Sequence, residues 1–265
     1  MKYNQDKTIL ITGSAGSLGK FMSGCLQTYL KNRYNFVVTD TINKLTYPHP
    51  FIQADITNIE SLRNIFKQYP IDIVVHFAGK VAKSTPWEQL LPNNIVGVYN
   101  ILQVASEFKC QRVVLASSIN AVNGYQEGIY DISEDAPINP KSLYGATKAW
   151  LEAVAHLYAN ERNLSCICIR FGRVAYRNDP GISILNKMED PFPSADRIIT
   201  YEDATQLTAR CIEAPSNLHF FIAHGVSENE KKRISIDITK KVLDFKPVDN
   251  VFNIARKNES KKLYN

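Results

Sequence analysis

The sequence predicts a doubly wound α/β fold, a parallel sheet covered by helices, with a small C-terminal part. Two observations carry that reading. Short apolar runs alternate with helix-length amphipathic ones over about two thirds of the chain, the pattern of successive βαβ units. A glycine-rich turn, Thr12-Gly13-Ser14-Ala15-Gly16-Ser17-Leu18-Gly19, joins the first apolar run to the first amphipathic one. Together they describe a Rossmann-type core over residues 1–172. A small region over residues 173–265 is expected to cap the core and hold substrate.

The elements follow in order. Thr8–Thr12 reads as the first strand, and a helix near 17–32 follows the glycines. Phe36–Thr39 and Phe51–Ala54 read as the second and third strands. A helix near 58–68 starts where Thr57 or Asn58 offers a capping side chain. Ile71–His76 reads as the fourth strand, and Pro86 suits the opening of a long helix near 86–109. Arg112–Ala116 and Ser165–Arg170 read as the fifth and sixth strands, with a helix near 142–162 between them. Beyond residue 171 the pattern loosens into a helix near 201–214, a strand near 218–223 and a helix near 234–244.

Composition narrows the function classes. The 265 residues are 45% hydrophobic and 22% charged, which excludes disorder for the bulk of the chain. Gly and Pro number 12 each, too few for collagen-like or low-complexity sequence. Mean hydropathy is -0.21, and no stretch approaches the ~18 apolar residues of a membrane span. The first apolar segment is too short for a signal-peptide core, so no membrane association is expected. Cys25, Cys110, Cys166, Cys168 and Cys211 contain no CxxC pair, and Cys166 and Cys168 would share one face of a strand. A reduced, cytoplasmic protein is expected. The net charge of +5 gathers partly in Lys231-Lys232-Arg233, Lys240-Lys241 and Lys261-Lys262, which reads as a solvated surface. No basic stripe with interleaved aromatics points to nucleic acid. The five histidines show no metal-ligand spacing, and His76, closing a strand, reads as a packed residue.

The glycines at 13, 16 and 19 let a backbone turn tightly against a pyrophosphate, with the following helix N-terminus facing it. Asp40 ends the second strand, where a carboxylate accepts hydrogen bonds from a ribose diol and repels a 2′-phosphate. Thr41 and Ile42 bring no cation to reverse that preference, so NAD is expected rather than NADP. The bland reading of Asp40 is a turn or cap residue. Asp55, before Ile56, closes the third strand where an adenine amino group could be read. Phe77-Ala78-Gly79 follows the fourth strand with small residues where a cofactor could lie.

Tyr144-Gly145-Ala146-Thr147-Lys148 places a phenol and an ammonium at i and i+4, on one helical face. A free tyrosine has a pKa of about 10, and a cation within ~4–6 Å typically lowers such an acid by 1–3 units. A tyrosinate so favoured could take the proton of an alcohol whose carbon gives up hydride. Ser117-Ser118 closes the fifth strand beside this helix, in position to hold the substrate oxygen.

These motifs, with His76-Phe77-Ala78-Gly79, Asn94-x-x-Gly97 and the run Glu134 to Lys148, resemble the extended short-chain dehydrogenase/reductases, the NAD-dependent epimerase/dehydratase group. The resemblance spans residues 8 to about 172. It implies Tyr144 as proton acceptor and donor, Lys148 on the tyrosine and the nicotinamide ribose, and Ser118 on the substrate oxygen. It also implies cofactor contacts from Gly13, Gly16, Ser17, Leu18, Gly19, Asp40, Asp55, Ile56, Phe77, Ala78, Gly79, Asn94, Ser117, Tyr144 and Lys148. Within the group the chain is most similar to the uronate dehydrogenases, through Pro86-Trp87-Glu88-Gln89, Asn94 to Asn100, Tyr201 to Pro215 and Phe245 to Asn250. It departs from them after Ser118, where Ile119-Asn120 replaces Asn-His, and at Lys80-Val81-Ala82-Lys83, where a serine is expected.

A dehydratase would carry an Asp-Glu pair after the strand-end serines, and Ile119-Asn120-Ala121 has none. A nucleotide-sugar epimerase stays open, although only about 95 residues follow Arg170 to hold a nucleoside diphosphate. A non-enzymatic NAD-sensing protein commonly loses the tyrosine or lysine, and both are kept. Arg173 reads either as a bidentate partner of a substrate carboxylate or as a surface ion pair, and Asn120 as a substrate-contacting amide or a structural one. Trp150, Val154, Leu157 and Tyr158 form a second apolar stripe on the Tyr-Lys helix. Such a stripe marks an interface or a core contact; the resemblance implies the interface, a homodimer pairing the helices near 86–109 and 142–162, with the C-terminal residues as the competing cover for that stripe.

Overall fold

The computed structural model describes residues 7–31, 33–42, 48–81, 84–125, 131–183, 185, 188, 195–230 and 232–263. The predicted end of the first helix at Asn32, part of the 80–83 segment (Ala82, Lys83) and Lys231 lie outside the described residues, as do the side chains of Lys261 and Lys262. The strands in chain order are β1 (Thr8–Thr12), β2 (Asn35–Asp40), β3 (Phe51–Gln53), β4 (Ile71–His76), β5 (Arg112–Ser118), β6 (Ser165–Phe171), β7 (Arg173–Ala175), β8 (Ile198–Thr200) and β9 (Phe220–Gly225). Seven of them form one parallel sheet in the order β3-β2-β1-β4-β5-β6-β9, and β7 pairs with β8 apart from it. Strand order reverses between β1 and β4. The crossovers diverge there and open a crevice at the C-terminal strand ends, where ligands of such sheets bind.

The helices are α1 (Gly19–Tyr29), α2 (Ile59–Gln68), α3 (Trp87–Leu90), α4 (Gly97–Glu107), α5 (Leu143–Glu161), α6 (Pro180–Ser183), α7 (Tyr201–Ile212), α8 (Asp237–Leu243) and α9 (Val251–Leu263). Asn58 caps α2, accepting from the amides of Glu60 and Ser61, and Ser142 caps α5 through the Gly145 amide. The single helix expected near 86–109 is divided. Pro86 opens α3, a π-helical turn follows over Leu91–Val96, and α4 resumes at Gly97. Pro92 lies in that turn and donates no backbone hydrogen bond, so the ladder is re-spaced around it.

Successive strand residues point to opposite faces, so each strand feeds two cores. Ile9 and Ile11 meet Met22 and Leu26 of α1 and Leu207 of α7 on one face. Leu10 meets Leu62 of α2, Ile101 of α4 and Leu151 of α5 on the other. All are essentially without exposure, and each such side chain contributes roughly 1.5–3 kcal/mol of apolar burial. A third, smaller core joins Ile182, Leu185, Ile198, Val251 and Phe252 in the C-terminal part. The predicted second stripe of α5 is split. Trp150 and Val154 pack partly into the second core, Tyr158 is buried with its hydroxyl donating to Gln103, and Leu157 is 54% exposed.

Candidate active site

A cleft of about 930 Å³ opens at the crevice, with the glycine loop on one side and the N-terminal turns of α5 on the other. Gly13 takes φ +72°, and a Cβ there would lie 2.5 Å from the Ala78 amide nitrogen. At Gly19 it would lie 2.1 Å from the Gly13 carbonyl. Only glycine lets the two strand ends and the helix start come this close. Helix α1 then begins at Leu18 with no side-chain cap and no acid in its first turn. Leu18 and Gly19 at this helix start line the cleft, and a phosphate is a natural partner for such an N-terminus. Gly16, Ser17 and Leu18 line the same wall, so the residues present fit a dinucleotide. Tyr201, from the C-terminal part, fixes this loop by donating its hydroxyl to the Ser17 carbonyl (3.0 Å).

Across the cleft stand Ser118, Asn120, Tyr144 and Lys148, with Phe77 and Gly79 on the floor and Arg173 at the rim. Lys148 is buried, donates to the Ala116 carbonyl (2.7 Å) and lies 5.7 Å from the Tyr144 ring centroid. Burial pushes its ammonium down to about 8. Burial also pushes the Tyr144 phenol up, opposed by a hydrogen bond with Ser118. The expected lowering by Lys148 is not among the influences on Tyr144; desolvation is the largest of them and disfavours the tyrosinate. Ser118 accepts from both the backbone and the side-chain nitrogens of Asn120 (3.1 and 2.9 Å). The Asn120 carbonyl oxygen in turn accepts from Asn123 (2.7 Å), so Asn120 here orients Ser118.

Several expected contacts lie elsewhere. Asp40 accepts from the Ala15 amide (2.9 Å) and the Thr41 amide (2.8 Å), so its carboxylate braces the glycine loop as well as the turn after β2. Asp55 accepts from the Thr57 amide (2.8 Å), and Ile56 packs where a Cβ on Gly97 would stand. Asn94, on the π-helical turn, accepts from the Lys80 amide and donates to the Lys80 carbonyl and Thr147. It staples the loop after Gly79 to α5. Ala78 donates its amide to the Thr12 hydroxyl (3.3 Å). Ser117 borders the cleft, and its hydroxyl donates to Glu152 (2.6 Å). Arg173 meets Asp179 at 3.3 Å while half exposed, so the ion pair and the cleft rim coincide.

Sequence reasoning missed the group behind this wall. Glu152, four residues beyond Lys148, is buried and holds Arg170 of β6 through two hydrogen bonds (2.8 and 2.9 Å). Arg170 also donates to the Glu134 carbonyl (3.2 Å). The available signal was a lone arginine within an apolar strand, which must find a carboxylate. His76 and His224 are buried and neutral, pushed down to about 3 by desolvation. Thr12 holds His76 at 2.7 Å.

The family model for the NAD dependent epimerase/dehydratase family matches residues 9–181. The chain belongs to that family. Membership makes it an NAD-dependent enzyme, and the crevice at the β1–β4 reversal is the place the fold reserves for that cofactor. Among its relatives, the NAD-dependent glucose-6-phosphate dehydrogenase of Haloferax volcanii is 25% identical over 92% of this chain and 94% of its own. The uronate dehydrogenase of Pseudomonas syringae pv. tomato is 27% identical over 91% of this chain and 82% of its own. The fold matches the glucuronic acid dehydrogenase of Chromohalobacter salexigens with a TM-score of 0.80, at 23% identity and over 97% of this chain and 89% of that one. It also matches the UDP-glucose 4-epimerase of Thermotoga maritima with a TM-score of 0.75, at 19% identity and over 97% and 99% of the two chains. Among the described residues no helix is long and apolar enough to cross a membrane.

Proposed function

We propose that this family member oxidises a small sugar or sugar acid, in the manner its dehydrogenase relatives' names suggest. The observation that carries the reading is one cleft holding the glycine loop together with Ser118, Tyr144 and Lys148. Bound NAD would supply the hydride acceptor, held by the loop at Gly13–Gly19 with its adenosine ribose toward Asp40. Ser118 then holds the substrate hydroxyl by a hydrogen bond, and Tyr144 takes its proton as the carbon loses hydride. To take that proton Tyr144 must first be deprotonated, and burial makes the tyrosinate costly, so the positive charge of Lys148 has to balance it until the proton arrives. Arg173 at the rim offers its guanidinium to a carboxylate of the substrate, in exchange for Asp179. Elements after residue 172 close the substrate side of the cleft, since Arg173, Val174 and Leu185 line it.

Tyr144→Phe tests the chemistry. NAD affinity, read by fluorescence titration, stays within a few-fold, and turnover falls by ~10²–10⁴, the usual weight of one acid–base group. Full activity in this variant overturns the assignment. A screen of NAD reduction across uronic acids, aldoses and nucleotide sugars identifies the substrate. Interconversion of nucleotide sugars without net NADH would select the epimerase reading instead.

The chain is further read as a cytoplasmic homodimer with a small-molecule substrate and no nucleic-acid partner. Exposed Val96, Tyr99 and Leu157 support a contact through the α3–α4 and α5 helices, and a two-fold contact there would be self-complementary. Five free cysteines suit a reducing compartment. Light scattering checks the assembly: a mass near twice 29.9 kDa supports the dimer, and 29.9 kDa rejects it.

A further inference from the structure

At the N-terminal edge of the sheet, the end away from Tyr144, lies a second cavity of about 870 Å³. We propose that it binds a small, multiply charged anion bearing phosphate or carboxylate groups. Its walls are cationic: Lys7, Arg33, Lys109, Arg112, Arg162 and Arg210 line it, with Glu213 as the acid among them.

Cations at this edge have an ordinary explanation, because α1, α4, α5 and α7 all end here. Each helix C-terminus carries about half a negative charge and attracts basic side chains. The closing turns show that most of these side chains are not used that way. At the end of α4 the Lys109 amide donates to Ser106 and the Cys110 amide to Ala105. At the end of α5 the Arg162 and Leu164 amides both donate to Tyr158. Lys31, Lys109 and Asn163 take φ of 52°, 57° and 51°, the left-handed turn that lets the backbone close its own helix. The end of α7 is closed by Arg112, buried, which donates to the carbonyls of Cys211, Ile212, Ala214 and Pro215.

Lys7, Lys109, Arg162 and Arg210 are left to the cavity, whereas Arg33 is already engaged. Arg33 pairs with Glu213 at 2.5 Å and donates to the Leu30 carbonyl. Among the described residues Lys7 donates its ammonium to a neutral amide, Gln111 (2.7 Å). Arg210 reaches exposed Asp244 at 3.2 Å, and its buried Nε–H meets no acceptor among the described residues. The side chains of Lys109 and Arg162 make no hydrogen bond or ion pair among the described residues. Asp72, the acid at the start of β4, accepts from the Thr8 amide. With Lys246, which shares Asp244, seven cations are set against three acids, Glu213, Asp244 and Asp72, and against four helix ends worth about two more charges, so about two remain. A ligand carrying two or more negative charges fits that excess and gives Arg210 its missing acceptor.

The test is calorimetric titration of NAD-saturated protein, so that the cofactor cleft's own affinity for phosphate is already filled. Pyrophosphate and citrate are the two probes. One-site binding by either supports the proposal; pyrophosphate alone assigns a phosphate ligand, citrate alone a carboxylate one. Lys109→Gln with Arg162→Gln weakens that binding by about 10–100-fold, the weight of losing charge-assisted contacts. Both residues are exposed, so the melting temperature stays put. Should the left-handed turn at Lys109 suffer, Arg162→Gln alone serves, with a loss of about tenfold. No binding of either probe, or binding that these variants leave intact, overturns the proposal.

Discussion

Glu152→Gln measures the charge pair behind the Tyr144–Lys148 wall. Glu152 and Arg170 are 3% and 1% exposed, and the carboxylate accepts three hydrogen bonds, two from Arg170 and one from Ser117. Glutamine is nearly isosteric, but its amide nitrogen turns a donor toward the guanidinium or toward Ser117. One hydrogen bond is lost, and Arg170 keeps a buried charge with no counter-charge. Removing one member of such a pair costs roughly 3–5 kcal/mol. At about 2–4 °C per kcal/mol for a chain of this size, melting falls by about 6–20 °C. Urea unfolding followed by the fluorescence of Trp87 and Trp150 reads the free energy directly. The double variant Glu152→Gln with Arg170→Met removes the orphan charge, although it leaves the Glu134 carbonyl without that donor. It is expected to recover at least half of the loss, a coupling of about 1.5 kcal/mol or more. A single-variant cost below ~1 kcal/mol, the range of exposed pairs, refutes the reasoning. So does a double variant equal to the sum of its parts.

Asp40→Ala removes both the carboxylate proposed for the ribose and the brace on the Ala15 amide. It should relax the preference for NAD over NADP in steady-state kinetics and cost about 0.5–2 kcal/mol, as a lost cap does; a parent enzyme that prefers NADP ends the ribose reading. Gly19→Ala drives a Cβ into the Gly13 carbonyl. NAD binding by fluorescence quenching should weaken by about 10-fold or more, since overpacking of this kind costs about 1–3 kcal/mol. His76 and His224 stay neutral down to about pH 3, whereas in the unfolded chain each binds a proton near 6.5. Below that value the unfolded state holds more protons, so stability falls as pH falls, by about 2 kcal/mol per histidine at pH 5. His224→Gln should flatten the stability–pH curve between pH 5 and 7 by that amount, and an unchanged slope refutes the burial argument.

Strands and motifs were readable because their signals are local. The runs at Thr8–Thr12, Ile71–His76 and Arg112–Ala116 declare themselves by apolar content, and the glycine turn by its spacing. Boundaries shifted by one to three residues where caps rather than hydrophobicity decide the end. The division of the 86–109 helix was not legible, because Pro92 permits either a helix start or a re-spaced turn. The Glu152–Arg170 pair and the bracing role of Asp40 depend on contacts between distant elements. A residue's type announces what it could do; which partner claims it is decided by packing. Ser117 and Asn94 are the clearest instances, since their polar groups serve Glu152 and Lys80.

The seventh strand has a consequence for how the chain is made. β9 comes from Phe220–Gly225, after the small β7–β8 sheet, yet it pairs along β6 from Cys166 to Phe171. During synthesis Ser118, Tyr144 and Lys148, the residues proposed for catalysis, have left the ribosome well before β9 does. Until then β6, with the sequence Ser-Cys-Ile-Cys-Ile-Arg-Phe, presents an unpaired apolar edge with one charged residue, Arg170, to break it. Exposed edges of this composition are templates for strand addition between chains. A nascent or truncated form that ends near residue 172 would thus be the aggregation-prone one, and the late strand acts as the cover that makes the finished sheet safe.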